Sequence, residues 1–246
     1  MTEDSKIMPI DWFNQTLQDG GPLYTESNPG RLIAEPWNAL SSLFIVFPAF
    51  IWLLRVRKDY KNFRFLLFCI SLMVLGGTGS TIFHAFRASK FFLVMDVLPT
   101  AVLSLSLGIY FWSKLLKKWW YVMLLIFLFV VPRFLFFRNL PQHAAINVSY
   151  AFSGIFIGLP LLIILFKNSW YRTNQVVYAI FLFIVALVFR ETDTFPISFF
   201  PMGTHFLWHV FSGFGAYCIL AYLYAFRKKE LSLLTKDAPD NQHTIL

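Results

Sequence analysis

The sequence has very little charge for its length. Only 14% of its 246 residues are Asp, Glu, Lys or Arg, whereas 57% are hydrophobic and 20% are aromatic. A soluble domain of this size needs more polar surface than that composition supplies. The composition therefore excludes a soluble globular protein and indicates a polytopic membrane protein.

Cysteine is also scarce. Cys69 and Cys218 both fall within apolar stretches, so no disulfide framework is expected. The sequence also lacks repeats of fixed period, low-complexity tracts and Gly-Ser linkers. Lys and Arg outnumber acidic residues by 21 to 13, but they are spread over the turns that flank the apolar stretches. This distribution argues against a nucleic-acid partner and for a membrane bilayer.

Seven apolar stretches approach or exceed the roughly 20 residues that a helix needs to cross the hydrocarbon core. They predict an all-α fold, a seven-transmembrane helix bundle. We divide the chain into an N-terminal segment (1–37), the bundle (38–226) and a tail (227–246) whose polar part, 236–246, is expected to be disordered. The predicted spans are 38–56, 63–84, 91–113, 119–137, 144–166, 173–190 and 205–226.

The distribution of basic residues predicts the orientation of these spans. The side with the N-terminus carries seven Lys and Arg residues, and the opposite side carries fourteen. The positive-inside rule then predicts a cytoplasmic C-terminus and an N-terminus that is extracytoplasmic or luminal. Residues 1–6 are polar and do not resemble a cleavable signal peptide, so the first span is expected to direct insertion.

Three histidines lie in apolar surroundings. His205 and His209 are four residues apart at the start of the last span, and His84 ends the second span. A single such histidine is often an ordinary hydrogen-bonded core residue, and for His205 alone that interpretation would suffice. Three imidazoles predicted at one membrane level instead indicate a zinc site with an open fourth position, as in hydrolytic zinc enzymes.

Other polar groups are predicted at the same level. Ser80 precedes His84 by one helical turn and either bonds back to its own helix or takes part in chemistry. Asp96 lies in the first turns of the third span, where a carboxylate needs a cation, a proton or a metal-bound water. Glu191 and Asp193 are interpreted as a solvated pair with Arg190.

Two further patterns are open to a ligand interpretation. The glycines at 76, 77 and 79 favour close helix packing over a phosphate loop, because no strand precedes them and no Lys follows. Glu26, Asn28 and Glu35 place oxygen ligands before the first span, which suits a hard cation such as calcium as well as a solvated acidic loop.

Taken together, the motifs at 35–38, 79–84, 96–99, 189–193 and 203–209 resemble those of the alkaline ceramidase family, in its bacterial form. These are seven-helix membrane hydrolases related to the progestin and adipoQ receptors. The resemblance implies zinc bound by His84, His205 and His209, and Ser80 and Asp96 as catalytic residues. It also implies calcium bound by Glu26, Asn28 and Glu35.

The sequence departs from the family at one of these motifs. The family's Asp-Trp-Cys-Glu motif is replaced by residues 23–26, Leu-Tyr-Thr-Glu, and the pair Asp11-Trp12 lies too far upstream to align with it.

These residues predict amide hydrolysis. A zinc-activated water, an Asp that transfers protons and a Ser that supports an oxyanion are sufficient to cleave an N-acyl bond. The expected substrate is a ceramide-like membrane lipid, cleaved to a fatty acid and a sphingoid base. Two alternatives remain, a receptor or sensor of the progestin and adipoQ type with a structural zinc, and remodelling of lipid-anchored proteins.

Overall fold

The computed structural model of the protein describes residues 17–195 and 199–236. Within these ranges the chain is all-helical, as predicted, and its helices are joined by short turns and loops. The predicted polar tail beyond residue 236 and the pair Asp11-Trp12 lie outside the described residues. The helices are α1 (Pro36–Ser41), α2 (Leu43–Val56), a 3-10 segment (Arg57–Phe63), α3 (Arg64–Phe86), α4 (Lys90–Leu115), α5 (Trp119–Asn139), α6 (Gln142–Lys167), α7 (Thr173–Glu191) and α8 (His205–Lys236).

Among the described residues, six helical segments are long and apolar enough to cross a membrane. The first of them, Pro36–Phe86, runs through α1, α2 and α3 without a loop. Within this segment, Asp59 has non-helical backbone angles. Helix α3 folds back along α2, and the two pack so closely that a Cβ on Gly77 would lie 2.6 Å from the Val46 side chain. A count of seven membrane passes therefore remains a prediction.

The long helices expose apolar side chains around the bundle. On α5, Phe127 and Phe134 are 59% and 67% exposed, and on α7 Phe181 is 61% exposed. Apolar surface of this extent is stable only in lipid. The chain is therefore a multi-pass integral membrane protein, with a tightly packed core between α2, α3, α4 and α8 that includes Trp52, Met73, Phe111 and Tyr222.

Contacts between loops define two ends of the bundle. At one end, Arg227 donates a hydrogen bond to the Asn62 carbonyl, Lys114 pairs with Glu230, and Lys229 donates to Asn168. We call this the basic end.

At the other end, the backbone N–H groups of Ala34 and Glu35 donate to the carbonyls of Ala85 and His84, and Gln142 donates to the Gly20 carbonyl. We call this the histidine end. Successive helical segments thus alternate in direction. The N-terminal segment lies over the last turn of α3 and the first turn of α8.

Two helices differ from their predicted bounds for clear physical reasons. The predicted first span is interrupted at Ser42, where the hydroxyl groups of Ser41 and Ser42 both approach the Asn38 carbonyl. Such back-bonding competes with regular helix geometry. The last helix continues to Lys236, past the predicted end at residue 226. Its extra turns are mostly polar, and Arg227 and Lys229 bond to the neighbouring loops.

Candidate metal and catalytic site

The three predicted histidines meet at the histidine end. One ring nitrogen from each of His84, His205 and His209 lies within 4.8 Å of the other two, and all three side chains are buried. The ring centroids are 4.8 to 5.4 Å apart. His205 and His209 belong to the first turns of α8, where spacing of four residues places both rings on one face. His84 reaches them from the last turn of α3.

Hydrogen bonds at Nδ1 orient two of these rings. The Nδ1 atom of His84 bonds to the carboxylate of Glu35, and that of His209 lies 2.9 Å from the Ser41 hydroxyl. Each bond leaves Nε2 directed elsewhere, which is the usual arrangement in zinc sites where a neighbouring group fixes the imidazole. Nδ1 of His205 is buried and has no hydrogen-bond partner among residues 17–195 and 199–236. An unpaired buried nitrogen beside two oriented imidazoles fits a metal ion, so the donor set suits zinc.

Close packing of α3 against α4 brings Ser80 beside Asp96. A Cβ on Gly79 would lie 2.1 Å from the carbonyl oxygen of Met95 and 3.0 Å from the backbone nitrogen of Asp96. Only glycine tolerates so close an approach of two helix backbones. The packing role predicted for Gly79 is therefore confirmed.

Ser80 and Asp96 both face the histidines. The hydroxyl oxygens of Ser80 and Ser42 are 3.0 Å apart, and the Ser42 hydroxyl is 3.3 Å from Nδ1 of His209. The Asp96 carboxylate interacts with the Ser80 hydroxyl and lies within electrostatic range of the His84 ring. Ser80 is buried, whereas Asp96 is partly exposed on α4 next to the exposed Val97. The five predicted zinc and catalytic residues thus lie in one cluster, and their roles stay predictions.

The N-terminal segment covers this cluster. The ring of Tyr24 stacks on His205 with centroids 4.0 Å apart and lies 5.3 Å from His84. Burial raises the pKa of Tyr24 well above its ordinary value, so the phenol stays neutral at physiological pH. The next residue, Thr25, bonds through its backbone N–H to Asp193, at 3.0 Å.

Asp193 ties three segments together at the start of α8. Its carboxylate accepts the backbone N–H groups of Thr204 and His205 at 2.8 and 2.7 Å, in addition to that of Thr25. It is 3% exposed, so its interpretation as a solvated partner of Arg190 was wrong. Burial raises the pKa of Asp193, although the three N–H donors oppose that rise. The same interpretation is confirmed for Glu191, which pairs with Arg190 at 2.6 Å.

The three residues assigned to calcium do not form a cation cradle. The Glu26 carboxylate accepts the backbone N–H groups of Trp37 and Asn38 at 2.7 and 2.9 Å and so caps α1. Asn28 is exposed and bonds to the backbone of Gly30. Glu35 is fully buried and bonds to His84, Ser27 and Arg87. Their oxygens are thus engaged with donors from the chain, and a calcium site does not fit this geometry.

The guanidinium of Arg87 supplies a positive charge to the buried carboxylates of Asp19 and Glu35. Arg87 donates to Asp19 at 2.6 and 3.1 Å, to the Pro22 carbonyl at 3.0 Å, and to Glu35. Burial would lower the pKa of Arg87, but Asp19 and Glu35 outweigh that effect and hold it above its ordinary value. Burial would likewise raise the pKa of Glu35, but His84 and Arg87 hold it below its ordinary value. Both groups are therefore charged.

Several residues of this site were missed by sequence reasoning. Arg87 has a φ of +48°, which is rare outside glycine and places its side chain under the N-terminal segment. No sequence pattern signals that geometry. Asp19, Tyr24 and Ser41 were missed because their distance from the histidines in sequence hides their contact in space. Asp193 was identified in a motif but assigned to the surface.

Comparison with known families gives one result. The family model described as Ceramidase matches residues 28–238, which includes each predicted zinc and catalytic residue. No curated protein matches the chain.

Proposed function

The chain belongs to the Ceramidase family, and from this premise we propose that it is a zinc-dependent hydrolase of ceramide-like lipids within the membrane. The proposed reaction adds water across the N-acyl bond and releases a fatty acid and a sphingoid base. The observation that carries the proposal is the convergence of three buried histidines, with ligand atoms within 4.8 Å of one another, beside a carboxylate and a hydroxyl.

We assign His84, His205 and His209 as the residues that hold zinc. A bound zinc would lower the pKa of a water in its open position to about 7 and polarise the amide carbonyl. Glu35 and Ser41 hold two of the rings through Nδ1 and so fix the ligand atom that each ring presents.

Asp96 is assigned to proton transfer. During hydrolysis the water oxygen bonds to the carbonyl carbon, the C–N bond breaks, and the amine nitrogen gains a proton. A carboxylate beside the site can accept the proton of water and pass it to that nitrogen. The hydroxyl of Ser80 is assigned to donate a hydrogen bond to the carbonyl oxygen as negative charge develops on it.

The surroundings of Asp96 suit a substrate that arrives through lipid. Val94 and Val97, on either side of it in sequence, are 50% and 51% exposed on α4. The N-terminal segment covers the histidines from the other direction, through Tyr24. A lipid amide therefore has a lateral approach to Asp96 from the bilayer.

The test compares two substitutions in purified protein, with zinc content and fatty-acid release from N-acyl sphingoid lipids as readouts. We expect Asp96→Asn to keep zinc yet lose on the order of 10²-fold or more in turnover, because it removes the proton-transfer group alone. We expect His209→Ala to lose both zinc and turnover, because it removes a ligand.

Two results would count against the proposal. Full turnover by Asp96→Asn would refute its role in proton transfer. A zinc-loaded parent protein that releases no fatty acid from any N-acyl lipid would favour the receptor or sensor function instead.

A further inference from the structure

A cavity of about 550 Å³ lies at the basic end, away from the histidines. It is an open cleft lined by α2, α7, α8 and the loop before α7, and the residues important here are Trp52, Arg55, Arg172, Gln175, Tyr224 and Lys228. Among the described residues, no acidic side chain lines it. We call it the basic cavity.

Three positive charges at this cavity lack acidic partners. All three are exposed, and within the described part of the chain none of them forms an ion pair; they are Arg55, Arg172 and Lys228. Neighbouring cations at the same end differ, because Glu230 neutralises Lys114 and Arg227 at 2.7 and 3.1 Å. A concave site lined by charge of one sign concentrates an electric field and attracts an anion.

In the described part of the chain, two buried polar atoms at the cavity also lack partners. Trp52 is 1% exposed, and its indole N–H has no hydrogen-bond acceptor among the described residues. The side-chain oxygen of Gln175 likewise has no donor within the same ranges. Folded proteins leave few buried polar groups unpaired, and each needs an explanation. A ligand that offers both an acceptor oxygen and a hydroxyl would satisfy this pair.

The backbone before α7 has the features of an anion site. Ser169, Trp170 and Arg172 have positive φ angles of 54°, 58° and 58°. Non-glycine residues adopt such angles at an energetic cost, and they cluster at functional sites. The first turn of α7, from Thr173, has no side-chain cap. The dipole of α7 adds a partial positive charge at this side of the cavity.

We propose that the basic cavity binds the headgroup of an anionic phospholipid, with its phosphate near Arg55, Arg172 and Lys228. A hydroxyl on the headgroup, such as that of glycerol or inositol, would donate to Gln175, while a phosphate oxygen accepts the Trp52 N–H. A lipid is favoured over free phosphate because Trp170, which precedes the cavity residue Tyr171 in sequence, and Phe166, whose ring contacts Trp170, are 51% and 71% exposed, as expected at a membrane interface. The binding site is separate from the proposed hydrolase site.

The proposal can be tested by native mass spectrometry and thermal unfolding of the purified protein. Phosphatidylglycerol, phosphatidylcholine and inorganic phosphate are added separately at matched concentrations. We expect phosphatidylglycerol to bind and raise the unfolding temperature, and the other two to have little effect. Equal binding of phosphatidylcholine would overturn the proposal, and equal stabilisation by inorganic phosphate would overturn its assignment to a lipid.

Variants locate the binding. Replacing Arg55, Arg172 and Lys228 with Gln should weaken phosphatidylglycerol binding on the order of 10- to 100-fold, given what each basic group contributes near an anionic lipid. The matched control removes three charges outside the cavity at the same end, through Arg57→Gln, Lys58→Gln and Lys117→Gln, and should keep the affinity. An equal loss in the control would show that general charge attraction is sufficient and would overturn the proposal.

Two single substitutions cover the case in which the triple variant does not fold. Trp52→Phe keeps an aromatic ring but removes the N–H, and it should weaken phosphatidylglycerol binding severalfold. Gln175→Glu introduces a negative charge beside the phosphate and should abolish binding. Parent-like affinity in both variants would overturn the proposal.

Discussion

At the scale of single residues, the cluster depends on Glu35, which contacts both a predicted zinc ligand and the buried guanidinium. It bonds to Nδ1 of His84 and to Arg87, so one carboxylate couples the metal site to the N-terminal segment. We expect Glu35→Gln to weaken zinc binding by about 10- to 100-fold, because it removes the group that fixes the imidazole. Competition with a zinc-binding dye measures this.

Glu26→Gln serves as the matched control for that prediction. Glu26 is a buried carboxylate in the same segment, but its partners are the N–H groups of Trp37 and Asn38. The Glu26→Gln variant should keep the parent's zinc affinity, although its free energy of unfolding should fall somewhat. If both substitutions reduce zinc affinity equally, the effect arises from loosening of the whole segment, not from the bond to His84.

Arg87 makes a second prediction possible, because its guanidinium already neutralises Asp19 and Glu35. We expect the unfolding temperature of the parent to be the same with added calcium and with a calcium chelator, at fixed free zinc.

Arg87→Gln should lower the free energy of unfolding by about 3–5 kcal/mol, because it leaves two buried carboxylates without a counter-charge.

The control is Arg31→Gln, which removes an exposed charge from the same segment and should leave stability within about 0.5 kcal/mol of the parent. Stabilisation of the parent by calcium would show that the cation competes successfully with Arg87.

At the scale of helices, the approach of α3 to α4 determines the distance between Ser80 and Asp96. Gly79→Ala introduces a Cβ that would lie 2.1 Å from the Met95 carbonyl oxygen, so the two helices must separate. We expect a loss of about 1–3 kcal/mol in stability from overpacking. Turnover should fall on the order of 10²-fold, because catalytic groups displaced by about 1 Å lose alignment.

Gly154→Ala is the control for this substitution. Residue 154 lies within α6, and among the described residues no atom outside its own helical turns lies within 4 Å of a Cβ placed there. An Ala in that position should be neutral or stabilise the helix by about 0.5–1 kcal/mol. Comparable loss of turnover in both variants would contradict the role of the α3–α4 contact.

The helices were largely predictable because hydrocarbon imposes a simple rule, that long apolar stretches become helices. The predicted spans 119–137 and 173–190 differ from α5 and α7 by one or two residues at most. The break at Ser42 was not predictable, since it depends on hydroxyl contacts with Asn38 and on the close approach of α8 at Gly213. The three histidines were identifiable because polar side chains are costly in apolar stretches, so each one needs a function or a partner there. Arg87 and Asp193 were not, because their partners lie in distant loops.

At the scale of the whole molecule, the segment Pro36–Phe86 determines how often the chain crosses the bilayer. The segment Pro36–Phe86 contains no loop, but its backbone is broken at Asp59 and its two halves lie side by side. Residues 36–56 rise about 30 Å at 1.5 Å per residue, which is just enough for one crossing. The stretch should therefore cross twice and bring the total to seven, with the histidine end extracytoplasmic and the basic end cytoplasmic.

Labelling of single cysteines with a membrane-impermeant reagent tests this topology in a background where Cys69 and Cys218 are replaced with Ala. Arg31, Lys58 and Lys90 are exposed and lie before, between and after the two halves. Arg31→Cys and Lys90→Cys should react in intact cells, whereas Lys58→Cys should react only after the membrane is permeabilised. Reaction of all three in intact cells would mean that residues 36–86 do not cross twice. Reaction of Lys58→Cys alone would invert the predicted orientation and place the proposed hydrolase site on the cytoplasmic side.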